Sequence, residues 1–195
     1  KFNYCTFAGG SGKYSQGKYF SAMLSGHEVN DIRISNCLFK NSVIANGGDD
    51  AVNIKKSYVL IDNSKFIGNG GDAIDFDFVD NNSRITNSQF INNGNDAIDL
   101  SSSNVYLSNI EIVSSGDKGL SVGEKSYVYS DNLRISKTKI GIANKDSSFI
   151  DLSNSYLTDN IIGIGLYNKK KDYKNSKINV LNTKIKGNYL NCGIE

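Results

Sequence analysis

Three stretches of this chain say nearly the same thing: GDDAVNI at 48–54, GGDAIDF at 70–76 and GNDAIDL at 94–100. In weaker form the motif continues, so that Ala51, Ala73, Ala97, Gly119, Gly141 and Gly163 fall at steps of 22, 24, 22, 22 and 22 residues. A period in the twenties held over most of a chain is the signature of a solenoid, in which each repeat buries its apolar face only against its neighbours. Each period holds three short apolar–polar alternations, and such alternation is the strand signal. Over 97–119 the strands are AIDL, VYL and IEI, separated by the turn strings SSSN, SN and VSSGD. The expectation is an all-β, three-sided parallel β-helix of about seven to eight coils, about 22 residues each, forming one domain over 1–195.

Composition agrees. The chain lacks Pro and Trp, is rich in Asn, Ser and Gly turn formers, and uses β-branched Ile and Val in preference to helix formers. A net charge of +2 gives no strong pull toward nucleic acid. No apolar run approaches the ~20 residues of a membrane span.

The columns of the repeat define the expected core. Val52/Ile54, Ile74/Phe76, Ile98/Leu100 and Leu120/Val122 point inward from the first strand, and Ile32/Ile34, Val59/Ile61, Val105/Leu107, Ile150/Leu152 and Ile178/Val180 from the second. The third contributes Phe7, Phe39, Phe66 and Phe90, a predicted ring stack, then Ile112, Ile135, Leu157 and Ile185. Asn36, Asn63, Asn87, Asn109, Asn132, Asn154 and Asn182 recur at the second turn. Asn tolerates the left-handed backbone of a tight corner and can bond its copies above and below. Gly48, Gly70, Gly94 and Gly116 recur at the third turn, where a positive φ is expected. A leucine-rich repeat wants one strand and a Leu consensus, and a hexapeptide helix wants multiples of six; neither pattern fits.

Parallel strands, an asparagine ladder, an aromatic stack and a coil near 22 residues resemble the right-handed parallel β-helix of the pectin-lyase-like superfamily, over about 2–195. The GDDAI-type string and GDKGLSVGEKS (116–126) also resemble β-helix repeats attached to CotH-kinase-like and other bacterial surface proteins. The fold so implied hosts lyases, hydrolases, epimerases, adhesins and inert spacers. The surface-protein likeness implies an extracellular or cell-surface location.

In the first strand the residues expected to face outward are the small ones and the short acids: Ala51/Asn53, Ala73/Asp75, Ala97/Asp99 and Gly119/Ser121, the floor of a shallow groove. Asp75 and Asp99 should lie ~4.8 Å apart on adjacent coils, and like charges so placed need a cation, a lysine or a raised pKa. Calcium prefers several oxygen ligands, so Asp75, Asp99, Asp72 and Asp96 are candidate Ca2+ ligands; the family resemblance implies metal or paired acids on this face. Asp50, Asp72, Asp96 and Lys118 form a second column at the strand entrance, where turn capping is the simpler role. Asp75, Asp99, Lys118 and Lys145 are the candidate catalytic residues, for β-elimination from a uronic acid, epimerisation or acid-pair hydrolysis. Asn53, Ser121, Glu124 and Asp146 are candidate substrate contacts, joined by Tyr167, Lys169 and Lys170 of the insertion YNKKKDYKN (167–175).

Three further features carry less. Tyr106 and Tyr129 should stack outward on the second sheet, as a sugar platform or a plain cross-strand ladder. His27, the single histidine, is assigned to an inserted loop, SGHEVN (25–30). Cys5 and Cys37 align inward, as stacked thiols or a disulfide. The resulting expectation is a carbohydrate-directed module, binding an acidic polysaccharide along the first sheet and cleaving or epimerising it if catalytic. The alternative is a structural or adhesive module of a surface protein or particle. Neither end of the sequence shows a cap, so a longer parent protein or end-to-end self-association is expected.

Overall fold

The computed structural model describes residues 1–43 and 50–194. Among these there is no helix; the chain is a parallel β-solenoid of about six turns with roughly 23 residues per turn. That is slightly fewer turns than expected, because the end steps are long. Ala22 pairs with Asp50 and Ile162 with Leu190, 28 residues apart in each case.

The first sheet has eight parallel strands: Ala22–His27, Asp50–Lys55, Ile74–Asp77, Ile98–Ser101, Lys118–Gly123, Ile140–Lys145, Ile162–Tyr167 and Leu190–Ile194. The other two sides join into one 14-stranded sheet, since Asn104–Val113 and Tyr127–Ser136 run unbroken around the corner between them. The registers place Asp75 between Asn53 and Asp99, and Asp99 beside Ser121, in the order the repeat requires. An antiparallel hairpin, Lys13–Ser15 with Lys18–Phe20, is inserted before the first of the eight strands.

The inward columns form one core. Phe7, Phe39, Phe66 and Phe90 stack with centroids 4.5, 4.9 and 4.8 Å apart and planes within 5°. Ile112, Ile135 and Leu157 continue the column, buried. Val180, in the last strand of its side, Lys177–Leu181, is 45% exposed and not a core residue. All seven corner asparagines have φ between +44° and +55°, and their amides bond along the axis, as Asn63 Nδ2 to Asn36 Oδ1 at 2.7 Å shows. A second, interior ladder was not anticipated. Buried Asn93 accepts from Asn69 Nδ2 at 2.9 Å, while its own amide donates to Phe66 O at 3.2 Å, satisfying a backbone carbonyl inside the turn.

Two expectations need correction. Ala51, Ala73 and Ala97 do not floor an outer groove; they are fully buried in the core. Simple alternation fails where the chain bends into the strand, so two successive residues, such as Ala51 and Val52, both face in. A Cβ on Gly119 would come within 2.5 Å of Ile135 Cγ2, which is why that column is small. The glycine ladder, in turn, does not serve a positive φ: Gly70, Gly94 and Gly116 are absent from the positive-φ residues. A Cβ on Gly94 would sit 2.1 Å from Gly70 O, and one on Gly116 2.0 Å from Gly94 O, so neighbouring turns approach too closely for any side chain. Gly48 lies outside the described residues.

Candidate functional site

With the alanines inside, the outer face of the first sheet carries two columns. One runs Ser25, Asn53, Asp75, Asp99, Ser121 and Ala143; the other runs His27, Lys55, Asp77, Ser101, Gly123 and Lys145. Side chains from both columns bond into a polar row along the axis. His27 Nε2 lies 3.2 Å from Asn53 Oδ1, and Asn53 Nδ2 donates to Asp75 Oδ2 at 2.5 Å. Asp99 follows on the next strand. Lys145 lies over Gly123, whose missing Cβ makes room for its methylenes. Its ammonium donates to Ser121 Oγ at 2.7 Å and stands 3.9 Å from Asp99 Oδ1.

The row is partly shielded from water. Asn53 and Ser121 are fully buried and Lys145 nearly so, while the Asp99 side chain remains 26% exposed. Burial pushes the Asp75 carboxyl up to about 7, with the charges of Asp77 and Asp99 adding to the effect and Lys55 and Asn53 opposing it. Asp99 Oδ1 is buried with no hydrogen-bond partner. The expected acid pair is therefore real in register, and the lysine that accompanies it is Lys145.

Lys118 stands elsewhere. It belongs to the column of Asp50, Asp72 and Asp96, whose carboxylates cap the next turn. Asp50 Oδ1 accepts from Asp72 N at 3.1 Å, Asp72 Oδ1 from Asp96 N at 2.7 Å, and Asp96 Oδ1 from Lys118 N at 2.9 Å. Burial, then neighbouring carboxylates, lift Asp50 to about 9 and Asp72 to about 8. Burial also raises Asp96, although Lys118 opposes it. The Lys118 ammonium closes the column on Asp96 and Asp117. Burial alone would lower its pKa, but these bonds carry it above the usual lysine value.

Glu124, Asp146, Lys169 and Lys170 form a clasp for the inserted loop. Asp146 is wholly buried, its Oδ1 accepting from the backbone N–H of Lys169 and of Lys170 at 2.8 Å each. Lys170 pairs with Glu124, and Lys125 lies 5.8 Å from the Tyr173 ring. Tyr167 is half-buried beside Gly165, in register with Lys145. The loop thus sits near the Lys145 end of the row, and the hairpin sits near the other: Phe20 packs on His27 at 4.9 Å.

His27 is the residue sequence reasoning undervalued. It is not in a loop but ends the strand Ala22–His27, in register with Lys55. The hairpin insertion upsets the period just before it; aligning LSGH with VNIK would have found it. Tyr106 and Tyr129 do pair in register, on a different side of the solenoid, with Arg84 5.5 Å from the Tyr106 ring. Cys5 and Cys37 are free thiols. A hollow of about 560 Å³ follows the exposed Asn63–Asn132 corner past Lys65, Gln89, Glu111 and Arg134. Glu111 is the one carboxylate lining it, so it lacks the paired acids of the first sheet.

Calcium asks for six to eight oxygens at about 2.3–2.6 Å. Among the described residues no group of three or more His, Cys, Asp or Glu side chains gathers with that geometry. Asp75 is already bonded to Asn53, and Asp72 and Asp96 to backbone N–H groups. The donors present fall short of a calcium cage, so no chemical step is routed through a metal here. Among the described residues no helix is long and apolar enough to cross a membrane.

Residues 51–195 match the family model described as the right handed beta helix region. The match omits the turns that carry the hairpin and His27. No curated protein and no solved structure matches the chain.

Proposed function

Since the chain belongs to the right-handed beta helix family, we propose that it is a carbohydrate-directed module which holds a polysaccharide along the outer face of its first sheet. The observation that carries this reading is the Asp75/Asp99 pair. These are neighbouring carboxyls on strands ~4.8 Å apart, one of them titrating at about 7 and the other with a buried oxygen that faces Lys145 but has no hydrogen-bond partner. Two acids side by side on one sheet face can act on one glycosidic bond when their carboxyls stand ~5–5.5 Å apart, and a group titrating near the working pH can both give and take a proton. Lys145, beside Asp99, is the cation that would meet an acidic sugar; Asn53 and Ser121 support the pair from within. An extracellular or cell-surface location goes with this reading, as does the pectin-lyase-like likeness.

A structural or adhesive role is favoured by a different observation. Asn53 is satisfied by His27 and Asp75, and Lys145 by Ser121, inside the protein, so much of the row also serves the fold. Binding of neutral and acidic polysaccharides, with and without calcium, to the wild type, Asp75→Asn and Asp99→Asn decides between them. Saturable binding or turnover that both substitutions weaken, with the fold intact, supports the carbohydrate reading. Absence of both in every condition replaces it with the structural one.

A further inference from the structure

The His27 end of the polar row has a feature that a simple pair of acids does not need. Asn53 stands between an imidazole and a carboxyl, with its Oδ1 toward His27 and its Nδ2 toward Asp75. An amide donates only from nitrogen and accepts only at oxygen. With Oδ1 facing His27, the imidazole must donate from Nε2, and Nδ2 must donate to Asp75 Oδ2. The reverse orientation would turn the amide oxygen toward Asp75 Oδ2 and require a proton there. Phe20, 4.9 Å from the imidazole at 30°, holds the ring in place from the hairpin.

Resting on the carbohydrate reading above, we propose that His27 is a positioning residue for the acid pair. Through Asn53 it reserves Asp75 Oδ2 as an acceptor, so that Oδ1 is the oxygen from which Asp75 gives its proton to a glycosidic oxygen, with Asp99 as its carboxyl partner. As the bond between that oxygen and the anomeric carbon breaks, Asp99 bonds to the carbon; water then displaces Asp99 and gives one proton back to Asp75, so that atoms and charge balance with water as the sole co-reactant. Asp77, Asp99 and Lys55 face Asp75 on its own sheet, and Asp50 and Asp72 face it from the strand entrances. Lys55 is in register with His27, while Lys18 of the hairpin and Glu28 flank it. None of these supplies the hydrogen bond that orients Asn53.

The test is a carbon-13 carboxyl titration of Asp75 in the full chain, for the wild type, His27→Phe and His27→Gln. Phenylalanine keeps the packing on Phe20 and removes the donor; glutamine restores an N–H. Loss of the donor frees the amide and weakens its bond to the carboxylate, so His27→Phe should raise proton affinity at Asp75 by about three- to tenfold. His27→Gln should return it close to the wild-type value. An unchanged midpoint in His27→Phe overturns the proposal, and so does an equal shift in both variants, which would report lost charge rather than a lost bond. If His27→Phe does not fold, His27→Ala is read in the same way. Polysaccharide binding is measured on the same samples. A titration that behaves as expected without any binding removes the glycosidic role and keeps the His27–Asp75 coupling, so the two failures are distinguishable.

Discussion

Replacing Gly94 with alanine tests why the third turn carries glycines. The new methyl would lie 2.1 Å from Gly70 O, 2.9 Å from Gly70 C and 3.2 Å from Asn69 O. Relief needs the two turns to part by about 1 Å, while Asn69 and Asn93, next to the glycines, are buried in a core packed without slack. They cannot part freely, because Gly94 N donates to Asn69 O at 2.7 Å and Gly116 N to Asn93 O at 2.8 Å. Overpacking costs about 1–3 kcal/mol, and a weakened backbone hydrogen bond adds about 0.5–1.5 kcal/mol, so a loss of about 1.5–4.5 kcal/mol is expected. Gly9→Ala is the control. Gly9 has φ of +68° and open space around its Cβ position, so only the left-handed backbone penalty of about 1–2 kcal/mol applies. Urea unfolding, with the denaturant slope compared between variants, measures both. If Gly94→Ala costs no more than Gly9→Ala, close approach of the turns is not the reason for the glycine.

Phe66→Ala removes a ring stacked on both sides and should cost about 3–5 kcal/mol, measured by the same unfolding curves; a loss under 1 kcal/mol would mean that the stack does not hold the core. Stability should fall as pH rises from about 4 toward 9. Asp75, Asp72 and Asp50 keep their protons to about 7, 8 and 9 in the fold, whereas the unfolded chain releases them near 4. The folded form therefore holds more protons across that window, and thermal melts at successive pH values should show it; Asp50→Asn should flatten the upper end. Lys145→Met keeps the stem over Gly123 but strips the ammonium from Ser121 and Asp99. It should cost about 1–3 kcal/mol in the same unfolding curves, since buried Ser121 Oγ loses its donor, and an unchanged stability would mean that this 2.7 Å bond contributes nothing to the fold.

The repeat made most of the solenoid legible, because a period of 22 fixes both the strand count per turn and the residues stacked upon one another. Phe7 to Phe90 and the corner asparagines could be read this way. Alternation, by contrast, describes a straight strand and fails at a bend, so Ala51, Ala73 and Ala97 were placed on the wrong face. Glycine has two uses, freedom of φ and lack of bulk, and spacing alone does not separate them at Gly94 and Gly116. In the candidate site, Asp75 and Asp99 were legible as register partners. Lys118 was grouped with them because it shares their strand region, yet side-chain bonding ties it to Asp96 and Asp117. His27 was missed because its column is recognisable only once the hairpin is excised from the count. The clasp on Asp146 depends on how a loop folds back, which no periodicity encodes.

The corner asparagines have one more consequence. Asn87 donates to Asp62 and Asn154 to Asp131, not to an asparagine below. A carboxylate accepts but never donates, so each aspartate dictates the orientation of the amides stacked above it. Asn109 and Asn132 follow the first, and Asn182 follows the second. Every N–H then points toward the low-numbered end and every C=O toward the high-numbered end. The corner is a rail of aligned dipoles, the side-chain counterpart of a helix macrodipole, interrupted by two negative charges that set its direction. Along this edge the solenoid has an electrical head and tail, so an ion or a charged polymer travelling beside it would distinguish one direction from the other.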